Sequence, residues 1–482
     1  MKLKFNKIII TYLLFQIHFL ESISFNWSLY ENDSYIVFFN RNISNLNGIE
    51  SLKNVENLLI IRNKLIQIDP IGYLNQLVEA DLSNNYIENI KPICNLTNLI
   101  SLTLNHNSIT KIDSCFGSLI KIKFFYISHN HLYNIDILGK LIHLNYLEFS
   151  YNHIEQIDSL NNLIELEYIQ FKMNNISNIN SLTNMTNLKF VLMESNKIDN
   201  IDCLKNLNNI TLLRLSNNNI NNISSLMNLS NLHTLTLSNN NIKEIDSIQN
   251  LVELSLLDLD SNRIENINTG LGNQINLFIL NLSNNNIENI DSLSNLTNLM
   301  DLTLSKNRIK DISSLSFLKN PFLIFDISNN QVENINPIRN FVKLKRIIIN
   351  NNNLTSIQTI ENLKDLVEID IRNNTRIDSF INITGLKELK LVYLSLNQLE
   401  MNNPIKFFDK IINEKFNLTK MYHRHRFIKK TVNYLASINF LVTDSLNYVN
   451  CDLQIKFSRV NIHFNLYFDY QVSNFFKLCN IE

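Results

Sequence analysis

Glycine and proline are scarce in this chain, seven and five among 482 residues. That scarcity leaves no flexible linker, no collagen-like segment and no Pro-rich arm. Five cysteines are few for an extracellular protein. Neither sign of charge prevails, with Lys plus Arg at 43 against Asp plus Glu at 44, so nucleic acid is not expected as the main partner. Beyond residue 24 no stretch is apolar enough to span a bilayer. A P-loop, a nucleophile elbow, H-E-x-x-H and a CxxC pair are all missing, and most Asp and His residues fall at positions of a repeat. Neither enzymatic activity nor a cofactor nor a metal is therefore expected. His423 and His425, two apart in a helix-like stretch, would point to different faces, which is unsuited to a metal.

What is present is a period. The stretch 232–251, LHTLTLSNNNIKEIDSIQNL, sets the frame. Counted from Asn240, apolar residues stand eight, five and three places before (Leu232, Leu235, Leu237) and two, five, eight and eleven places after (Ile242, Ile245, Ile248, Leu251). The frame recurs around Asn63, Asn85, Asn107, Asn130, Asn152, Asn174, Asn196, Asn218, Asn262, Asn285, Asn307, Asn330, Asn352, Asn374 and Asn397, with successive asparagines 22 or 23 residues apart. An L-x-x-L-x-L-x-x-N-x-I unit at this spacing marks a leucine-rich repeat. Leu235 and Leu237 alternate with Thr234, Thr236 and Ser238, so a short strand turns leucines inward and polar groups outward. One coil cannot bury its apolar edge alone, whereas stacked coils bury each other's. The asparagine, an amide that can both donate and accept, serves backbone groups left without ladder partners at the bend. It is structural. The fold class expected is α/β: a solenoid (horseshoe) of about 16–17 repeats, with a parallel sheet on the concave face and short 3₁₀ or irregular segments on the convex side.

Residues 1–24 read as a secretory signal. Lys2, Lys4 and Lys7 precede the apolar run Ile8 to Leu20, which is too short to span a bilayer, and Ser22-Ile23-Ser24 supplies small residues for cleavage. An amphipathic cytosolic leader is the alternative. Residues 25–50 form a capping coil: Ile36, Phe38 and Ile43 fit the frame, while Arg41 stands where asparagine is expected. The repeats proper occupy 51–400, and 401–482 make a C-terminal α+β cap or small domain. There, 405–416 and 421–441 have helical spacing, and alternating residues around Leu453–Phe457 and Val460–Phe468 read as strands shifted at Ser458. The basic face of the second helix (Lys420, Arg424, Arg426, Lys429, Lys430) is ordinary solvated surface or contacts an anionic one. Asn26, Asn32, Asn42 and Asn417 are candidate glycosylation sites, although Asn-x-Ser/Thr triplets arise readily in so Asn-rich a chain. Cys451 and Cys479 are the favoured disulfide pair; a Cys94 to Cys115 bridge is disfavoured, because Cys115 falls at an inward position of the frame and Cys94 one place out of register.

Function is sought on the outward positions of the strands. Six places before the asparagine, consecutive coils carry Phe124, Tyr146, Tyr168, Phe190 and then Leu212; four places before, Tyr126 and Leu192 flank them. They are expected to form an exposed band that binds a protein, since Tyr and Phe give large contact area at little entropic cost. The plainer reading has them stacking along the sheet and covering one another. Acids outnumber bases on the same face, with Asp258 and Asp326 among them, so the partner should carry a basic surface, unless these are simply solvated charges.

The unit LSNLTNLMDLTLSKNRIKDISSL at 293–315 resembles the 22-residue class shared by the leucine-rich regulatory subunit of type-one protein phosphatase and the bacterial internalins. The resemblance covers residues 36 to about 400 and implies a parallel-strand horseshoe that binds a protein on its concave face. No contact residue carries over from either family. The expectation is a secreted or secretory-pathway, non-catalytic protein-binding scaffold. The alternative is an intracellular regulatory subunit of a type-one serine/threonine phosphatase, in cytoplasm or nucleus. Oligomeric state is not legible in the sequence.

Overall fold

The computed structural model describes residues 25–318, 322–377, 386–389, 391–393, 448–457 and 460–469. The leader at 1–24, the helices expected at 405–416 and 421–441, and Asn397, Asn417 and Cys479 lie outside them. The chain divides into two compact units, Met1–Tyr133 and Asn134–Glu482.

In the first unit a 3₁₀ turn, Trp27–Tyr30, is capped by Asn26, whose side chain accepts the Ser28 N–H. Five parallel strands follow: β1 (Tyr35–Phe39), β2 (Asn57–Ile61), β3 (Glu79–Asp81), β4 (Ser101–Thr103) and β5 (Phe124–Tyr126). Phe25, Trp27 and Tyr30 gather round Phe38 with ring centroids 4.5, 5.6 and 5.2 Å away. This aromatic cluster covers the apolar side of the first described coil, which no other coil among the described residues covers.

The second unit carries parallel strands β6 (Tyr146–Glu148), β7 (Tyr168–Gln170), β8 (Phe190–Leu192), β9 (Leu212–Arg214), β10 (Thr234–Thr236), β11 (Leu256–Asp258), β12 (Ile279–Asn281), β13 (Asp301–Thr303), β14 (Ile324–Asp326), β15 (Arg346–Ile348), β16 (Glu368–Asp370) and β17 (Leu391–Tyr393), each paired with the next. Two longer strands, β18 (Tyr448–Phe457) and β19 (Val460–Asp469), form an antiparallel hairpin, and β19 meets β17 in parallel at His463 and Leu391. The register stacks each frame position on itself: Leu235 pairs with Leu213 on one side and Leu257 on the other. In most of the three-residue strands the middle residue is buried and its neighbours half-buried, the pattern the leucine alternation demands. Return segments of five 3₁₀ residues, such as Asp246–Asn250, close most of the described coils, with the Leu251 N–H donating to the Ile248 carbonyl at 3.0 Å. Both units are leucine-rich repeat solenoids.

Asparagine does four jobs in this architecture. At the frame position it is buried and ties each coil to the one before: Asn240 Oδ1 accepts the Ile220 N–H at 2.9 Å, while Nδ2 donates to the Leu215 carbonyl at 3.1 Å and its own coil's Leu237 carbonyl at 3.0 Å. One place earlier every described coil visits the left-handed region, at φ 57° for Asn84, 54° for Asn239 and 52° for Asn351, a conformation asparagine tolerates better than most side chains. Nine places before the frame residue, exposed asparagines form a second ladder, as where Asn187 donates to the Ile164 carbonyl at 3.0 Å and Asn298 to Ile275 at 2.8 Å. Four places after it, asparagine opens the 3₁₀ turn by accepting an N–H two residues on, Asn289 from Asp291 at 2.8 Å. Asn-rich runs such as Asn350 to Asn353 are thus repeat geometry.

Two expectations are corrected. Phe116, not Cys115, fills the inward position of its coil: the 23-residue spacing from Asn107 to Asn130 places its extra residue before the turn Ser114–Ser118, which moves the frame by one. Cys115 is thereby brought to the coil's flank, level with Cys94 of the preceding turn, and the two form a disulfide with Cα atoms 5.6 Å apart. Cys203 is buried and free, and burial pushes its thiol up to about 12, which makes it inert. The coil after Asn262 departs in another way. Its return runs through Gly270, where a Cβ would lie 2.3 Å from the Ile245 carbonyl oxygen, so only glycine fits.

Replacing Asn240 by Ala should leave the Ile220 N–H unpaired in a buried place, at about 1–3 kcal/mol, while the Leu215 carbonyl keeps its bond from Asn218 Nδ2 at 2.9 Å. Urea unfolding of N240A should therefore show a clear drop in midpoint; an unchanged midpoint would contradict the inter-coil role of the amide.

Candidate functional site

The outward face of the sheet is built from the first and third residues of each strand. In the second unit, Tyr146, Tyr168, Phe190 and Leu212 hold equivalent places on β6, β7, β8 and β9 and lie in register. The Tyr146 and Tyr168 rings stack at 5.5 Å with planes 21° apart; Tyr168 and Phe190 follow at 6.1 Å, tilted by 47°. The Tyr168 hydroxyl donates to Gln170 Oε1, which fixes its ring. Leu192 completes the patch from the third position of β8, and all five side chains are half-buried. Stacking and a remaining exposed apolar surface thus coexist. Of the expected band, the structure brings Tyr146, Tyr168, Phe190 and Leu192 together; Phe124 and Tyr126 are half-buried on the outward face of β5, in the other unit.

Charges rim this ladder unevenly. Lys189 Nζ reaches Glu167 at 2.8 Å beside it, and Lys172 lies 5.8 Å over the Tyr151 ring. Towards the end of the unit acids find bases: Arg346 Nε is 3.0 Å from Glu368, and Arg372 holds Asp370 through both carboxylate oxygens at 2.9 and 2.6 Å. Between them, from β11 to β14, no ion pair among the described residues engages Asp258, Asp260, Asp301 or Asp326. Burial raises the carboxyls of Asp258, Asp301 and Asp326, against donors such as the Asp260 N–H on Asp258, the Ser328 groups on Asp326 and, from further off, the Arg346 charge on Asp326. One oxygen of Asp301 is shut from solvent without a hydrogen bond. Four aspartates with no ion pair make this sector acidic, and their partial burial, relieved at Asp326 only by the more distant Arg346, disfavours the charge they carry. Among the described residues no group of three or more His, Cys, Asp or Glu could hold a metal, and no helix is long and apolar enough to cross a membrane.

In the first unit an apolar patch escaped the repeat frame. Tyr35, Val37 and Phe39 of β1 point outward, exposed by 59, 39 and 37%, beside half-buried Leu59 and Ile61 of β2, with Arg62 5.4 Å over the Phe39 ring. The signal was in the sequence: Tyr35 to Phe39 is apolar at every place, so alternation must turn three of the five residues to the outside.

No family model matches the chain, and no curated protein does. Among solved structures it is similar to a leucine-rich repeat protein of Leptospira interrogans, 22% identical over 78% of this chain and 94% of that one, with a TM-score of 0.65. It is also similar to the leucine-rich repeat ectodomain of the Arabidopsis thaliana membrane receptor kinase GASSHO1/SCHENGEN3, 20% identical at a TM-score of 0.59, covering 72% of this chain and about half (51%) of that one. A third likeness is to the functional domain of InlJ from Listeria monocytogenes, 20% identical over 70% of this chain and 74% of that domain, at a TM-score of 0.53. Identities this low speak for the fold.

A buried aspartate whose carboxyl is raised binds its proton more readily folded than unfolded, so its charge costs stability as pH rises above the unfolded value of about 3.9. Asp258→Asn and Asp326→Asn should accordingly stabilise the protein at neutral pH and have little effect below that value. Urea midpoints at the two pH values check this; equal effects at both would remove the electrostatic cause.

Proposed function

We propose that the chain is a non-catalytic scaffold that binds a partner protein on the outward sheet face of its second unit. The observation that carries this is the ladder Tyr146, Tyr168, Phe190, Leu212 with Leu192: large side chains, fixed by stacking and by the Tyr168 hydroxyl, still half-open to solvent. Rigid aromatics lose little entropy on docking and are the side chains that dominate binding energy. The acids Asp258, Asp301 and Asp326 on the same face, none held in an ion pair among the described residues, favour a partner with a basic surface, because a cation would relieve the cost of their partial burial. The Arabidopsis ectodomain of like fold is in complex with CASPARIAN STRIP INTEGRITY FACTOR 2, a use consistent with this reading. Secretion is part of the proposal. The Cys94–Cys115 disulfide supports an oxidising compartment and speaks against an intracellular phosphatase regulator.

Two measurements test it. Intact mass and N-terminal sequencing of the protein from its own cells should find a chain that starts at or near Phe25; one that retains the run Ile8 to Leu20 would overturn secretion and restore the phosphatase-regulator reading. Affinity capture from the matching compartment should recover a basic partner that elutes as salt rises. A folded Tyr146→Ala/Tyr168→Ala double variant should weaken that capture at least tenfold, since hot-spot truncations cost about 2 kcal/mol or more. Undiminished capture would sink the ladder as the binding site.

A further inference from the structure

We infer that β1 is a self-pairing edge through which two copies of the chain dimerise. Among the described residues β1 pairs with β2 alone. The bonds that bracket this pairing run from the Asn57 N–H to the Ser34 carbonyl and from the Asn40 N–H to the Ile61 carbonyl. Even-numbered residues of β1 thus face β2, and the alternation of a strand directs the N–H and C=O groups of Tyr35, Val37 and Phe39 to the open side. Natural edges are usually blunted by charge, proline or a bulge. Tyr-Ile-Val-Phe-Phe has none of these, and its three open residues also present their side chains to solvent on the sheet face.

The occupant is a second copy because the strand is complementary to itself. Antiparallel pairing centred on Val37 sets Val37 against Val37 and Tyr35 against Phe39 of the other copy. In this register all three open residues make two-bond pairs, where a shift by two residues loses one pair. Outward cross-strand contacts become aromatic with aromatic and β-branched with β-branched. Beyond the strand, exposed Glu31 and Asp33 lead in and exposed Arg41 leads out, so the two-fold axis carries the acidic end of each copy to the basic end of the other, twice over. A strand-sized contact of this kind falls at the small, weak end of specific interfaces, so dimerisation should depend on concentration.

Sedimentation velocity of the full mature chain over a wide concentration range tests the pairing. Asn32 and Asn42 flank the strand as glycosylation sequons, so it is run before and after enzymatic removal of glycans. A reversible dimer in either state is expected. Val37→Lys, which sets like charges against each other on the axis, should abolish it, whereas Val37→Thr, which keeps the backbone pairing, should not. Asp33→Arg should weaken dimerisation several-fold, and Asp33→Arg/Arg41→Asp should restore it. Circular dichroism confirms that each variant is folded. A monomer at every concentration in both glycan states, a dimer indifferent to Val37→Lys, or a double exchange that fails to restore would each overturn the inference.

Discussion

The buried asparagine of each coil is the constraint on which the rest of the structure depends. A chain that leaves a three-residue strand and turns sharply strands backbone donors and acceptors inside the coil, where water cannot reach them. The amide of Asn240 serves three at once, two of them on the preceding coil. The coil interval is thereby fixed: the amide must arrive over the previous coil's turn, so the chain can lengthen by one residue only where the return segment absorbs it, as before Ser114–Ser118. Fixing the inner side frees the outer. Because neither the leucines nor the asparagine need the outward positions, these can carry Tyr168 on one coil and Asp258 on another without disturbing the coil's inner bonds.

Most of this fold is legible because the frame repeats, so each coil checks the others. Legibility fails where it shifts or ends. Cys115 takes an inward place by counting and loses it to Phe116 because counting cannot say where a 23-residue coil puts its extra residue; the Cys94–Cys115 disulfide goes with that error. The left-handed residue before each frame asparagine leaves only a weak trace, since Met173 and Tyr151 hold the same backbone as Asn239. For the site, outwardness follows from alternation and Tyr146, Tyr168 and Phe190 are placed by it. Their stacking depends on ring tilts that sequence does not encode residue by residue. Nor does sequence show which acids are neutralised: Asp370 is, by Arg372 two places on, and Asp258 is not, although both stand at the same frame position.

The apolar outward face of β1 lay in plain view but outside the frame, because Arg41 replaces the asparagine there and the first coil reads as degenerate. Degeneracy at an end has a physical reason. In a stack whose stability is a sum of neighbour contacts, an end coil has one neighbour where an inner coil has two. This chain reinforces its first unit by three unrelated means: the aromatic cluster around Phe38, which covers the exposed core; the longer pairing of β1 with β2, five residues where most strands have three; and the Cys94–Cys115 bridge, which closes a loop of 21 residues and by chain entropy contributes about 3 kcal/mol. Each acts on side chains or covalent topology. None pairs the outer backbone edge of β1, to which, among the described residues, no strand but β2 is joined; a second copy fits there and not along the repeated middle, where strands already have a neighbour on both sides.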